Sequence, residues 1–464
     1  MRSKTSVLSR RDFVGSVMGG AAALMLSDCA RTRFRTHEPP LGKLPNFVVI
    51  FTDDQGYNDV GCFGSPNIKT PRLDRMAAEG VRLTDFYVAA PVCTPSRAAL
   101  LTGCYPQRVS LPMVLFPGSN VCINADEITV AELLKTRGYA TACIGKWHLG
   151  HLPPFLPTRH GFDYYFGIPY SNDMKPTPLM RNEEVIEEPA VQTTLTERYT
   201  EQAIGFITAH KDESFFVYLP HTMPHVPLHV SDRFKGKSAR GLYGDVIETI
   251  DWSTGRILDT LKELGLEDNT LVLFTTDNGP WLVKGEHGGS ALPLREGKGT
   301  TYEGGMRVPC IVRWPGVIPA GSVCSEMVTA MDVLPTCAGL AGIDVPTDRI
   351  IDGKDVWPLL SGAPGATTPH EAFFYYNGYA LEAVRSGDWK LILKKPRMNI
   401  PEALYNLKTD ISEKHNVIAQ HPDVAERLRL LAHRMREDIG DSRTREKGRN
   451  RRPSGRVKRT RKRS

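Results

Sequence analysis

The chain has 464 residues, of which 41% are hydrophobic and 24% charged. That is ample for a sizeable core, and the spacing of its nine cysteines excludes a dense disulfide framework or a zinc pattern. The net charge of +6 comes from one segment: residues 441–464 hold twelve Lys or Arg against two acids, leaving −4 for the rest.

The N-terminus reads as an export signal. Ser9-Arg10-Arg11-Asp12-Phe13-Val14 resembles a twin-arginine motif, and Gly15 to Leu26 is an Ala- and Gly-rich apolar segment too short to span a membrane. Such a signal is an address rather than an anchor, with cleavage expected near residue 30. Cys29 faintly resembles a lipoprotein site, although Asp28 stands where a small neutral residue is expected. No other stretch could cross a membrane.

Phe47 to Phe51 is a continuous apolar run, as expected of a parallel strand buried on both faces, and it ends in Thr52-Asp53-Asp54. In Cys93-Thr94-Pro95-Ser96-Arg97, Pro95 suits the first turn of a helix that continues through Ala98-Ala99-Leu100-Leu101. Cys93 then lies at a helix N-terminus, which favours an anion, and Arg97 can point at the same spot one turn later. A helix with a capping-box start follows at Thr129 and ends by Gly138. The strand Tyr139 to Ile144 leads into Lys146 and His148, which share one side if the chain is extended.

Residues 197–209 and 244–264 read as helices, the second with an apolar stripe of Val246, Ile250, Ile257, Leu258, Leu261 and Leu264. Between them, the apolar run 214–219 leads to His221 and His225. Leu271 to Phe274 is followed by Thr275-Thr276-Asp277-Asn278, and a glycine-rich loop over 297–305 carries Lys298. Ligands in open α/β sheets bind beyond the carboxyl ends of strands, so the pairs Asp53–Asp54 and Asp277–Asn278 predict one shared metal site. Three carboxylates and an amide suit calcium, with magnesium as the alternative, better than zinc.

Strands alternating with helices predict an α/β fold, a large and mostly parallel sheet sandwiched by helices. After a break at 362–365, residues 373–376, 380–385 and 389–393 read as short antiparallel strands and 423–437 as an amphipathic helix. The expected organisation is a signal peptide over 1–30, a catalytic domain over 44–365, a C-terminal α+β subdomain over 366–440 and a disordered basic tail over 441–464. The tail is either a plain solubilising extension or a tether for a polyanion. Nothing supplies specific nucleic-acid readout.

These motifs together resemble the type I, formylglycine-dependent sulfatases of the arylsulfatase type, within the alkaline-phosphatase-like superfamily. The resemblance runs from about Asn46 to about Lys408 and includes the C-x-P-x-R signature at Cys93, Gly145-Lys146-Trp147-His148, Pro224-His225, Thr276-Asp277-Asn278-Gly279 and the 297–305 loop. It implies that Cys93 is oxidised to formylglycine by a maturation enzyme, and that the hydrated aldehyde is the nucleophile. Asp53, Asp54, Asp277 and Asn278 would bind calcium, which also contacts position 93. Arg97 and Lys146 would hold the hydrate and the sulfate, and His148 would be the base that drives sulfate release. His225 and Lys298 would bind the sulfate, His225 also serving as proton donor to the departing alcohol, with His221 and His229 as rivals. Ser171 would be a supporting substrate contact.

The implied function is hydrolysis of sulfate esters, with a sulfated small molecule or carbohydrate as substrate. Export through the twin-arginine machinery would place the protein in a bacterial periplasm or outside the cell. The alternatives are a phosphonate or phosphate ester hydrolase on the same core, and a non-catalytic protein that binds sulfated glycans.

Overall fold

The structure, a computed structural model, describes residues 43–394 and 400–457. The expected signal over 1–30 and Cys29 lie outside the described residues, as do residues 458–464.

The strand Asn46–Thr52 is buried at every position. Phe47, Val49 and Phe51 enter one apolar cluster and Val48 and Ile50 the other, so both faces are covered and no polar alternation is tolerated. Thr270–Thr276 pairs parallel on one side and Phe215–Pro220 parallel on the other. Ala140–Ile144 and Tyr164–Gly167 continue the parallel block. Short strands extend both edges and break the parallel pattern, giving ten strands in all.

Helices cover both faces. Leu195–Ala209 and Gly241–Glu263 bury Tyr199, Val246, Ile250 and Leu261 in one cluster; Cys93–Thr102, Val130–Lys135 and Val333–Leu340 bury Leu100, Leu134 and Leu334 in the other. Each buried Leu or Ile contributes about 1.5–3 kcal/mol. The capping box at Thr129 forms: Glu132 N–H donates to Thr129 Oγ1 at 3.2 Å and Thr129 N–H to Glu132 Oε2 at 2.7 Å.

A four-stranded antiparallel sheet follows, in the order Phe373–Asn377, Ala380–Ser386, Trp389–Ile392, Ala403–Asn406, with the helix Pro422–Asp438. Its apolar residues, among them Tyr375, Val384, Leu391 and Leu428, belong to the same cluster as Phe47 and Leu100. Among the described residues, all eight cysteines are unpaired, and no helix is long and apolar enough to cross a membrane.

The basic segment corrects the expectation of disorder, because residues 441–457 are built into the fold. Arg452 forms a two-pronged pair with Glu127 at 2.8 and 2.9 Å, buried Asp441 accepts the Arg443 N–H at 2.9 Å, and Gly455–Arg456 pairs antiparallel with Val121–Cys122. The positive charge finds carboxylates far away in sequence, which composition does not reveal.

Candidate active site

Register assembles the site. Thr52 stands opposite Thr276, so the chain leaves both strands at the same edge, and Asp54 N–H donates to Asp277 Oδ1 at 3.2 Å. Asp54 takes a left-handed φ of 69°, which turns its side chain toward Asn278; Asn278 Nδ2 donates to Asp54 Oδ1 at 2.7 Å. Gly279 has a steric job. A Cβ there would lie 1.7 Å from the Gly304 carbonyl oxygen, so only glycine lets the 297–305 loop close on this strand end.

Cys93 opens the helix Cys93–Thr102 and is 2% exposed. Its Sγ lies 3.6 Å from Asp53 Oδ1 and 3.7 Å from Lys298 Nζ. Burial pushes the thiol up to about 12, although Lys146 and Lys298 oppose this. Arg97, one turn along, reaches Asp277 Oδ2 at 2.6 Å and Asp53 Oδ2 at 3.4 Å. Lys146 Nζ is 2.5 Å from Asp53 Oδ2 and 3.2 Å from Ser171 Oγ, and Lys298 Nζ is 2.7 Å from Asp54 Oδ1. Three cations thus face three carboxylates in a nearly dry pocket.

The carboxylates do not share this field equally. Burial would raise Asp53, but Lys146 and then Arg97 hold it well below the usual carboxylate range. Burial and the adjacent Asp53 push Asp277 up to about 7. Neighbouring carboxylates raise one another's proton affinity, and an added cation would relieve that crowding.

His225 joins the cluster directly. Its Nε2 is 3.7 Å from Asp54 Oδ2, and its Nδ1 is held by Asn172 Oδ1 at 3.1 Å and the Val226 carbonyl at 2.6 Å. Burial lowers its pKa. His221, one of its rivals, is instead a core residue whose Nε2 lies 3.4 Å from Ser253 Oγ, and burial lowers it to about 3. His229 is only half-buried. His148 takes a φ of 60°; its Nε2 is 2.9 Å from the Leu115 carbonyl, and its own carbonyl accepts from Thr94 at 3.0 Å. Burial and then Lys146 hold it well below the usual imidazole value, so it is neutral. Its buried Nδ1 has no hydrogen-bond partner among the described residues.

The donor set fits a hard divalent cation. One ligand atom from each of Asp53, Asp54, Cys93 and His225 lies within 4.8 Å of the others. Asn278 Nδ2 also donates to the Gly279 carbonyl at 2.9 Å, which fixes the amide's orientation and leaves buried Oδ1 without a partner among the described residues. An orphaned amide oxygen beside three carboxylates suits calcium or magnesium.

Two supports escape sequence reasoning. The Trp281 ring lies 4.4 Å from Lys298 Nζ and 5.4 Å from the His225 ring; only its place just after Gly279-Pro280 could have flagged it. The loop bearing Lys298 is also held from the C-terminal sheet. Lys390 Nζ donates to the Thr301 carbonyl at 2.9 Å and pairs with Glu303 at 2.9 Å and Glu413 at 2.8 Å, all buried.

Comparison with known proteins gives concordant matches. The Sulfatase family model matches residues 45–343, and a model for the C-terminal part of N-sulphoglucosamine sulphohydrolase matches 296–440. Arylsulfatase A of Bos taurus is 42% identical over 379 residues, covering 75% of this chain and 74% of that protein. N-acetylgalactosamine-6-sulfatase of Rattus norvegicus is 42% identical over 377 residues, covering 75% and 71%. Among solved structures, Ps i-CgsB in complex with k-i-k-neocarrahexaose superimposes with a TM-score of 0.77 at 32% identity, covering 85% of this chain and 93% of that one.

Proposed function

The chain belongs to the sulfatase family, as a type I sulfatase of the alkaline-phosphatase-like superfamily, and from that membership we propose that it hydrolyses sulfate esters of carbohydrates through a formylglycine at position 93 and a calcium ion. The observation that carries the mechanism is that Cys93 Sγ lies within 3.7 Å of both Asp53 and Lys298, at a site whose Asn278 amide oxygen is buried without a partner among the described residues.

Asp53, Asp54, Asp277 and Asn278 would hold the ion, which supplies positive charge to a sulfate oxygen and to position 93. The hydrated aldehyde supplies two hydroxyls, one to attack sulfur and one whose deprotonation allows sulfate to leave. Arg97 and Lys146 orient that hydrate and, with Lys298, stabilise charge on the sulfate oxygens in a site with little water. His225, its ring fixed through Nδ1 by Asn172 and Val226, presents Nε2 beside Asp54, and as the imidazolium that this carboxylate favours it gives the Nε2 proton to the leaving alcohol. Neutral His148 takes the proton from the second hydroxyl. Ser171 positions the Lys146 ammonium.

The curated relatives are sulfatases, which favours sulfate over phosphate or phosphonate esters and catalysis over mere glycan binding. The saccharide bound to Ps i-CgsB supports a carbohydrate substrate and, with the twin-arginine-like N-terminus, export to the periplasm or beyond. The test joins mass spectrometry of the peptide containing residue 93 with turnover of 4-nitrophenyl sulfate, a phosphate diester and a phosphonate monoester. An aldehyde at 93, preference for the sulfate ester and an inactive Cys93→Ala variant are expected. A fully active preparation with an intact thiol refutes the mechanism.

A further inference from the structure

A cavity of about 560 Å³ opens between the segment 110–115 and the C-terminal residues Pro453, Ser454 and Arg456, with Tyr379 also lining it. Two backbone links tie its walls to the active site. Leu115, in one wall, accepts from His148 Nε2 at 2.9 Å through its carbonyl and donates its N–H to Thr94 Oγ1 at 3.1 Å; Thr94 is the residue after Cys93. Tyr379, in another wall, lies two residues from Asn377, whose Nδ2 donates to the Gly299 carbonyl at 3.1 Å, beside Lys298. The cavity is therefore joined through Leu115 to His148 and Thr94, and through the strand end at Asn377 to the loop that carries Lys298.

Its lining is mixed. Met113, 62% exposed, and Tyr379 offer apolar and aromatic surface; Asn120 and Ser454 offer hydrogen-bonding groups. Arg456 is exposed, and its backbone is held where its strand pairs with Val121. Arg451 lies 4.3 Å over the Tyr379 ring and adds positive charge. Sugars present apolar C–H faces and hydroxyl edges together, and a sulfated sugar adds an anion; the charge of this wall is complementary to it.

We propose that this cavity is a subsite for a further unit of an anionic saccharide, next to the unit whose sulfate ester is cleaved, with Arg456 facing that unit's sulfate or carboxylate. The proposal rests on the sulfatase reading and adds to it a second recognition site, built from the C-terminal strand. The basic segment then has a binding role through one exposed side chain on an anchored strand.

The full-length protein is assayed with 4-nitrophenyl sulfate while carrageenan-derived or heparin-derived hexasaccharides compete, and inorganic sulfate serves as a competitor confined to the cleavage site. In Arg456→Glu the better hexasaccharide is expected to inhibit about tenfold more weakly, equivalent to about 1.4 kcal/mol. Tyr379→Ala should weaken it as well. In both variants the KM for 4-nitrophenyl sulfate and inhibition by inorganic sulfate should be unchanged. Equal hexasaccharide inhibition of both variants and the unaltered protein overturns the proposal, as does failure of both hexasaccharides to compete with the unaltered protein. Calorimetric binding of the same hexasaccharides separates the two readings. Absent turnover with binding that Arg456→Glu still weakens refutes the sulfatase reading and retains the subsite.

Discussion

Thr52 and Thr276 face each other across neighbouring parallel strands, and this one pairing delivers Asp53 and Asp277 to the same edge of the sheet. The arrangement predicts that Asn278→Ala or Asp54→Ala loses the bound divalent ion. Elemental analysis should show calcium absent from the variants, with turnover of 4-nitrophenyl sulfate down by at least about 10²-fold. Chelation should silence the unaltered enzyme and calcium should restore it. Full activity after exhaustive chelation would rule out the metal.

The contrast between the two histidines predicts different phenotypes. His225→Ala should slow hydrolysis by about 10²–10⁴-fold, with the larger loss for poor alkyl leaving groups that need a proton. His221, buried against Ser253, should on replacement lower the melting temperature and leave the dependence on leaving group unaltered. A flat leaving-group response in His225→Ala would remove it from the donor role.

Lys390→Met leaves Glu303 and Glu413 buried without their shared cation. The expected loss is about 3–5 kcal/mol, the cost of stranding a buried charge, read as a fall in the thermal midpoint. An unchanged midpoint would show that the two acids are held by other means.

The same cluster predicts acid lability. Burial would raise Glu303, but Lys390, then Arg307 and Arg385, bring it down to about 2 from 4.5. A carboxyl lowered in the folded state contributes stability that is complete above pH 4.5 and is lost as pH falls toward 2. The thermal midpoint should drop across that window, and Glu303→Gln should flatten the drop.

Truncation should divide the basic segment in two. Removing residues 441–464 strips Glu127 of Arg452 and leaves Leu381 N–H without Asp441, so stability should fall by several kcal/mol. Ending the chain after Val457 keeps these contacts, and this form should melt at a higher temperature than the shorter one. Equal melting of the two truncations would contradict the packing of residues 441–457.

Much of this architecture is legible in the sequence because buried parallel strands declare themselves. The run 47–51 and its counterpart 271–274 are apolar throughout, and each closes on acid or amide ligands. The 3.6-residue stripe similarly marks the helix Gly241–Glu263. Short strands such as Val81–Leu83 and the edge strand Ser322–Cys324 are too short to show any period. The Lys390 cluster unites residues from 303, 390 and 413, and no local pattern announces a contact of that kind. Composition misreads the C-terminal segment for a related reason: it counts arginines but cannot see Glu127, about 325 positions earlier, waiting for one of them.

The near-total enclosure of Cys93 also sets an order of events. With the thiol buried and Lys298 of the 297–305 loop 3.7 Å from it, the proposed conversion to an aldehyde would come while the polypeptide is still open, before the distant strand 270–276 has docked. On that proposal, ripening of the nucleophile is a step of biosynthesis. Native protein that escaped it should remain a thiol however long the modifying enzyme is supplied afterwards.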